Sequence, residues 1–169
     1  MIQYNPYELD RHSIRLKGFD YSSEALFFVT VVVNMKLPLF GRICNDEMIL
    51  NDAGKMIADT FEKIESNFQN VYCLDYVVMP NHFHGIIQNK SDGAVSLLSV
   101  MKWFKGVTTH LYIEGVKTKQ WMPFNRKLWQ TRYYDRILWN ERDYRFCADY
   151  IHMNPINWPN DDCNIIDFK

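Results

Sequence analysis

Glycine is scarce and scattered in this chain. The nearest of its seven glycines, Gly85 and Gly93, stand eight positions apart, so there is neither a phosphate-cradling P-loop nor a Gly-x-Gly-x-x-Gly dinucleotide turn. His-Glu-x-x-His and Gly-x-Ser-x-Gly are also missing, which removes the commonest zinc-protease and serine-hydrolase arrangements. Cys44, Cys73, Cys147 and Cys163 are widely spaced and form no Cys-x-x-Cys pair. Together with the lack of a charged-then-apolar leader after Met1, this leads us to expect reduced thiols and a cytoplasmic location. The longest apolar run, Ala25 to Val33, is too short to cross a bilayer as a helix. No membrane partner is expected. A net charge of −1 offers none of the basic excess that proteins coating duplex nucleic acid carry, so any such binding must use local patches. Repeats, linkers and low-complexity segments are absent too.

What is present is an ordinary globular composition, 47% hydrophobic and 23% charged, with a raised aromatic share of 15%. Aromatics build cores, and they are also platforms for unstacked bases. At 169 residues the chain is expected to form one domain, residues 1–169, burying about two thirds of its unfolded surface. Residues 1–24 are polar and read as an arm carrying Arg11, His12, Arg15 and Lys17, either solvated or touching phosphates.

Ala25 to Val33 is β-branched and aromatic, which predicts a central strand buried on both faces. Met48 to Leu50 suggests a short edge strand. From Asn51 or Asp52, suitable caps, Ala53, Ile57, Phe61, Ile64 and Phe68 recur at helical spacing. Val71 to Met79 predicts a strand, and Pro80-Asn81 a tight turn into a second strand, Met79-Pro80-Asn81-His82-Phe83-His84-Gly85-Ile86-Ile87. Side chains alternate along a strand, so His82 and His84 share a face. They are either two metal ligands or two histidines on a half-exposed sheet.

Leu97, Met101, Phe104, Thr108 and Leu111 predict another helix, with Lys102, Lys105 and Thr109 opposite, on a wet face or against phosphates; Gly115 to Pro123 reads as a loop. Leu128 to Trp139 alternates as a strand. Gln130, Arg132, Tyr134 and Arg136 share one face, suited to single-stranded nucleic acid or simply to solvent, while Trp129, Tyr133, Ile137 and Trp139 look like core. Asn140 caps a last helix with Tyr144, Ala148 and Ile151 buried, expected to end at Pro155, with residues 156–169 an irregular acidic tail. On it Tyr150 and Asn154 are one turn apart, either a nucleophile and a third ligand or a packed ring and a helix-end cap. Strand, helix, strand, strand, helix, strand, helix is the order of an α+β, ferredoxin-like antiparallel sheet with helices packed on it.

Five segments occur together in order: Arg15-Leu16-Lys17-Gly18-Phe19-Asp20-Tyr21-Ser22; Leu39-Phe40-Gly41; the Met79 to Ile87 stretch; Leu128-Trp129-Gln130 with Tyr133-Tyr134-Asp135; and Tyr150-Ile151 followed by Asn154-Pro155 and Trp158. In this combination the chain resembles the REP-associated tyrosine transposases, relatives of the single-strand insertion-sequence transposases in the HUH endonuclease superfamily. The resemblance spans roughly Arg11 to Trp158. It implies that His82 and His84 hold a divalent metal, magnesium or manganese, with Asn154 as third ligand, and that Tyr150 is the nucleophile. The implied substrate is single-stranded DNA beside a hairpin, REP-like or at an element end. It is cut to leave a 5′-phosphotyrosine link and a free 3′-hydroxyl, by a monomer or homodimer associated with the nucleoid. A hairpin-binding derivative that does not cleave, and a small zinc hydrolase using the two histidines, are the alternatives.

Overall fold

A computed structural model describes residues 16–91, 95–161 and 163. Arg11, Arg15 and most of the expected arm lie outside the described residues, as do residues 162 and 164–169 of the tail.

Four strands form the main sheet: β1 (Ala25–Val32), β4 (Val71–Val78), β5 (His82–Asn89) and β6 (Tyr134–Leu138). Their order is β4-β5-β1-β6 and every neighbouring pair is antiparallel. With α1 (Asp52–Glu62), α3 (Leu97–Lys119) and α4 (Glu141–Asn157) this is the expected ferredoxin-like arrangement. β1 lies inside the sheet and is buried on both faces, as its β-branched and aromatic run requires. Phe27, Val29 and Val31 face a core shared with Ile57 and Phe61 of α1 and with Val100, Met101 and Phe104 of α3. Phe28 faces the other way, into a smaller core with Ile86, Leu138, Cys147, Ala148 and Ile151. The helix α4 therefore covers the face opposite to α1 and α3.

This two-sidedness places the histidines. In β5 the odd residues Phe83 and Ile87 enter the larger core, so His82, His84 and Ile86 point toward α4. Gly85 belongs to the larger-core side, where a Cβ would come within 2.8 Å of Phe61 Cζ and 2.9 Å of Phe83 Cε1. The strand can carry His84 there only because its next residue has no side chain.

Several expectations change. Met48 to Leu50 is not an edge of the main sheet: β3 (Glu47–Leu50) pairs only with β2 (Gly41–Cys44), in a separate two-stranded ribbon. The first helix is interrupted at Lys63, with α2 (Ile64–Asn67) following. Ser66 Oγ and Asn67 Nδ2 bond the Lys63 carbonyl at 2.9 and 2.7 Å, the kind of side-chain competition that ends helices. The helix α3 does not stop at Gly115 but runs to Lys119, with Gln120 in the left-handed cap position at φ 57°. Gly115 is instead a contact surface, since a Cβ there would lie 2.1 Å from Trp121 Cε3.

The strand expected over Leu128 to Trp139 shortens to Tyr134–Leu138. Ahead of it Trp129 bridges β1's continuation at Val33 and Gln130 N donates to the Val32 carbonyl at 2.8 Å, and from Thr131 the chain leaves the ladder until β6. The Lys105 ammonium holds that departure by donating to the Gln130 and Thr131 carbonyls at 2.7 and 3.0 Å. Trp129, Tyr133 and Ile137 are buried as expected, but Trp139 is 66% exposed, because the ladder ends at Leu138 and turns its ring out beside Phe19. Finally, α4 continues past Pro155 to Asn157. One missing N–H in the last turns does not stop a helix whose neighbours Ile151 and Asn154 are fully packed.

Candidate active site

The turn before β5 is wired more firmly than a surface turn. Met79 N donates to the His82 carbonyl at 2.8 Å, closing it, and Val33 N takes the Asn81 carbonyl at 2.8 Å. The fully buried Asn81 side chain donates through Nδ2 to the Lys36 and Cys163 carbonyls at 3.0 and 2.7 Å. Both amide protons are then used, so Asn81 Oδ1 accepts from His82 Nδ1 at 2.9 Å. That bond fixes the His82 tautomer, with the Nε2 lone pair free to act as a ligand.

His82 Nε2 faces Asn154 Oδ1 at 3.3 Å, while Asn154 Nδ2 is turned to Asp161 Oδ2 at 3.5 Å. Asn154 is 1% exposed and does not cap the helix end; its amide looks into the sheet. With Nδ1 carrying the proton, two acceptors confront each other across that gap, a disposition that a cation resolves. His84 supplies the third donor. Its Nδ1 bonds Thr30 Oγ1 at 2.7 Å, and its buried Nε2 has no partner among the described residues. An orphaned imidazole nitrogen in the interior is costly unless something binds it.

The rings sit together: His82 and His84 centroids are 4.6 Å apart at 70°, and Trp158 lies over His82 at 5.9 Å. Tyr150 closes the group, edge-on to His84 at 5.2 Å and to Phe28 at 6.0 Å. The helix that carries it is clamped to β4 on either side of it in sequence. Tyr144 donates to Asp75 Oδ2 at 2.6 Å, and His152 Nε2 meets Asp75 Oδ1 at 2.9 Å.

Burial keeps both imidazoles neutral. It pushes His82 down to about 4 against the opposing pull of Asp161 and Asn154, with Lys36 adding to the fall. His84 is driven well below its ordinary value by burial first and by His82 second. Neutral imidazoles and an amide oxygen are metal donors as they stand, and three protein ligands leave positions open for substrate oxygens. The residues therefore fit a divalent cation.

The structure brings His82, His84, Asn154 and Tyr150 to one place and divides the expected nucleic-acid residues between two. Tyr134 and Arg136 pair with Thr30 and Phe28 and so share the histidine face, with Arg136 3.9 Å from Asp143. Lys102, Lys105 and Arg132 surround an open cavity of about 640 Å³ on the α3 side, with Leu98, Met101 and Tyr133 among its walls. Gln130, half-buried, lends its carbonyl to Lys105, and Lys17 is exposed. Residue spacing did not reveal Thr30, Asn81, Asp161 or Cys163. Only for Asn81, beside the histidine pair, was there a local signal.

Comparison with known proteins gives the family and the fold. The profile of the family described as IS200-like transposases matches residues 32–154, which runs from the end of β1 to Asn154. The chain belongs to that family. An uncharacterised protein of Haemophilus influenzae is 34% identical to this transposase-family chain over 174 residues, covering 94% of this chain and 96% of its own. Among solved structures, a REP-associated tyrosine transposase bound to a REP hairpin superposes with a TM-score of 0.61 at 21% identity, over 84% of this chain and 72% of that one. A candidate transposase from Deinococcus radiodurans R1 gives 0.51 at 14% identity, over 81% and 95%. At these identities the two structures establish that the transposase fold is shared. Among the described residues no helix is long and apolar enough to cross a membrane.

Proposed function

We propose that this transposase-family chain is a metal-dependent single-strand DNA endonuclease and strand transferase, working at DNA hairpins through a 5′-phosphotyrosine intermediate, with residues 1–169 as one catalytic domain. The observation that carries the reading is the buried Nε2 of His84, without a partner among the described residues, set beside the Tyr150 ring and next to the facing acceptors of His82 and Asn154. A structural histidine pair would have partners for those atoms.

His82, His84 and Asn154 would hold magnesium or manganese. When bound, such an ion would polarise the scissile phosphate, which matters because a phenol is mostly protonated at neutral pH. Tyr150 Oη attacks the phosphorus, the bond to O3′ breaks, and the phenolic proton ends on the departing 3′-hydroxyl by way of solvent. The phosphodiester energy is kept in the new ester, so the 3′-hydroxyl can later reverse the step without a nucleotide cofactor. The Asp75 clamp holds Tyr150 against His84, and Thr30 and Asn81 orient the imidazoles.

Hairpin recognition is supported by the REP hairpin held by the neighbour of the same fold. Lys17, Lys102, Lys105, Gln130, Arg132, Tyr134 and Arg136 are proposed DNA contacts, along with Arg11 and Arg15 beyond the described residues. With so little net charge, affinity must rest on hairpin shape and stacking as much as on phosphate neutralisation. A cytoplasmic enzyme active as a monomer or homodimer is part of the same reading.

The test is incubation of the protein with manganese and a labelled hairpin bearing a single-stranded flank. A covalent protein–DNA adduct forms with the native chain and is lost in Tyr150→Phe, while hairpin binding persists in both. An adduct made at the native rate by Tyr150→Phe refutes the assignment, and binding without cleavage in any divalent ion leaves a hairpin-binding derivative.

A further inference from the structure

The segment following α4 delivers a carboxylate and a thiol to the histidine face. His82, Asp161 and Cys163 each present one ligand atom, and these atoms lie within 4.8 Å of one another. The placement is held by several bonds. Asp161 N donates to the Trp158 carbonyl at 3.1 Å, Cys163 N donates to Asp161 Oδ1 at 2.6 Å, and the Cys163 carbonyl accepts from Asn81 Nδ2 at 2.7 Å. His82 is fully buried, Asp161 and Cys163 are half-buried, and Cys163 is not in a disulfide. The His84 ring, its centroid 4.6 Å from that of His82, carries a buried Nε2 that has no partner among the described residues.

We propose that His82, Asp161 and Cys163 form a binding site for a thiophilic divalent cation of the zinc class. Imidazole, carboxylate and thiolate are the donors that zinc accepts, and a thiolate discriminates against magnesium and manganese. Tetrahedral bonds of about 2.0–2.3 Å put donors about 3.5 Å apart, so small side-chain rotations at Asp161 and Cys163 close the cluster. Binding turns the Cys163 thiol into a thiolate and releases its proton to solvent. Only the consequence rests on the nuclease reading: His82 would serve both cations, so zinc here takes it from His84 and Asn154 and suppresses strand cleavage.

Cobalt(II) added to the full chain tests the site by absorption, without reference to activity. The native protein is expected to show a thiolate-to-cobalt charge-transfer band that saturates at one equivalent, yields to zinc and resists a tenfold excess of manganese. Cys163→Ser removes the band, Asp161→Asn keeps it with cobalt affinity weakened about tenfold or more, and Cys44→Ser, at an exposed thiol, changes nothing. His84→Asn keeps the band while losing the DNA adduct, so an adduct that survived in it would strike the nuclease reading alone. Absence of the band in the native protein, or its persistence in Cys163→Ser, overturns the proposal.

Discussion

Lowering the pH should destabilise the metal-free protein, and His82 sets the amount. Its ordinary value is 6.5 and burial holds it at about 4 in the folded state. Between these values the unfolded chain binds a proton that the folded chain refuses, so stability falls as pH drops from about 6.5 toward about 4 and is unaffected by this group above that window. At pH 5 the difference is about 2 kcal/mol, and below pH 4 it approaches about 3 kcal/mol, out of a total that for such domains is about 5–15 kcal/mol. His84 acts in the same direction. Urea unfolding in the presence of a chelator at pH 7 and pH 5 measures the loss. His82→Asn keeps an N–H for Asn81 Oδ1 but has no titrating ring, so its loss over that interval should be smaller by about 2 kcal/mol. Carboxylates remote from His82 contribute equally to both proteins and cancel in the comparison. Parallel profiles for the native chain and His82→Asn would show that the ring is not held neutral by burial.

Three further outcomes test the framework around the site. Gly85→Ala forces a Cβ to within 2.8 Å of Phe61 Cζ and should cost about 1–3 kcal/mol in thermal or urea unfolding; an unchanged midpoint would mean that β5 does not sit against Phe61 as described. Asp75→Ala releases Tyr144 and His152, and should destabilise by about 1–2 kcal/mol and speed amide exchange along α4. Exchange confined to its native rate would exclude Asp75 as the clamp. Asn154→Ala should weaken manganese binding about tenfold or more by calorimetry, and native-like affinity would remove the amide from the ligand set.

Local sequence was enough for much of this molecule. The β-branched and aromatic run of β1 implied its place inside the sheet, because a strand so rich in apolar side chains needs cover on both faces. Alternation in β5 put His82 and His84 on one side, and helical spacing put Tyr150 and Asn154 one turn apart. Local patterns failed where distant groups intervened: Trp121 packing onto Gly115 let α3 run on, and the Lys105 ammonium holds the Gln130 and Thr131 carbonyls where the chain leaves the ladder.

Which side of the sheet α4 would cover was a tertiary decision, and it separates a buried cluster of donor atoms from two exposed histidines. Propensity and periodicity report on neighbours a few residues away, whereas Thr30 meets His84 across 54 positions and Asn154 meets His82 across 72. The sequence by itself thus determined the elements and the faces their side chains occupy. Only packing decided that those faces meet, that burial holds both imidazoles neutral, and that Asp161 and Cys163 join them.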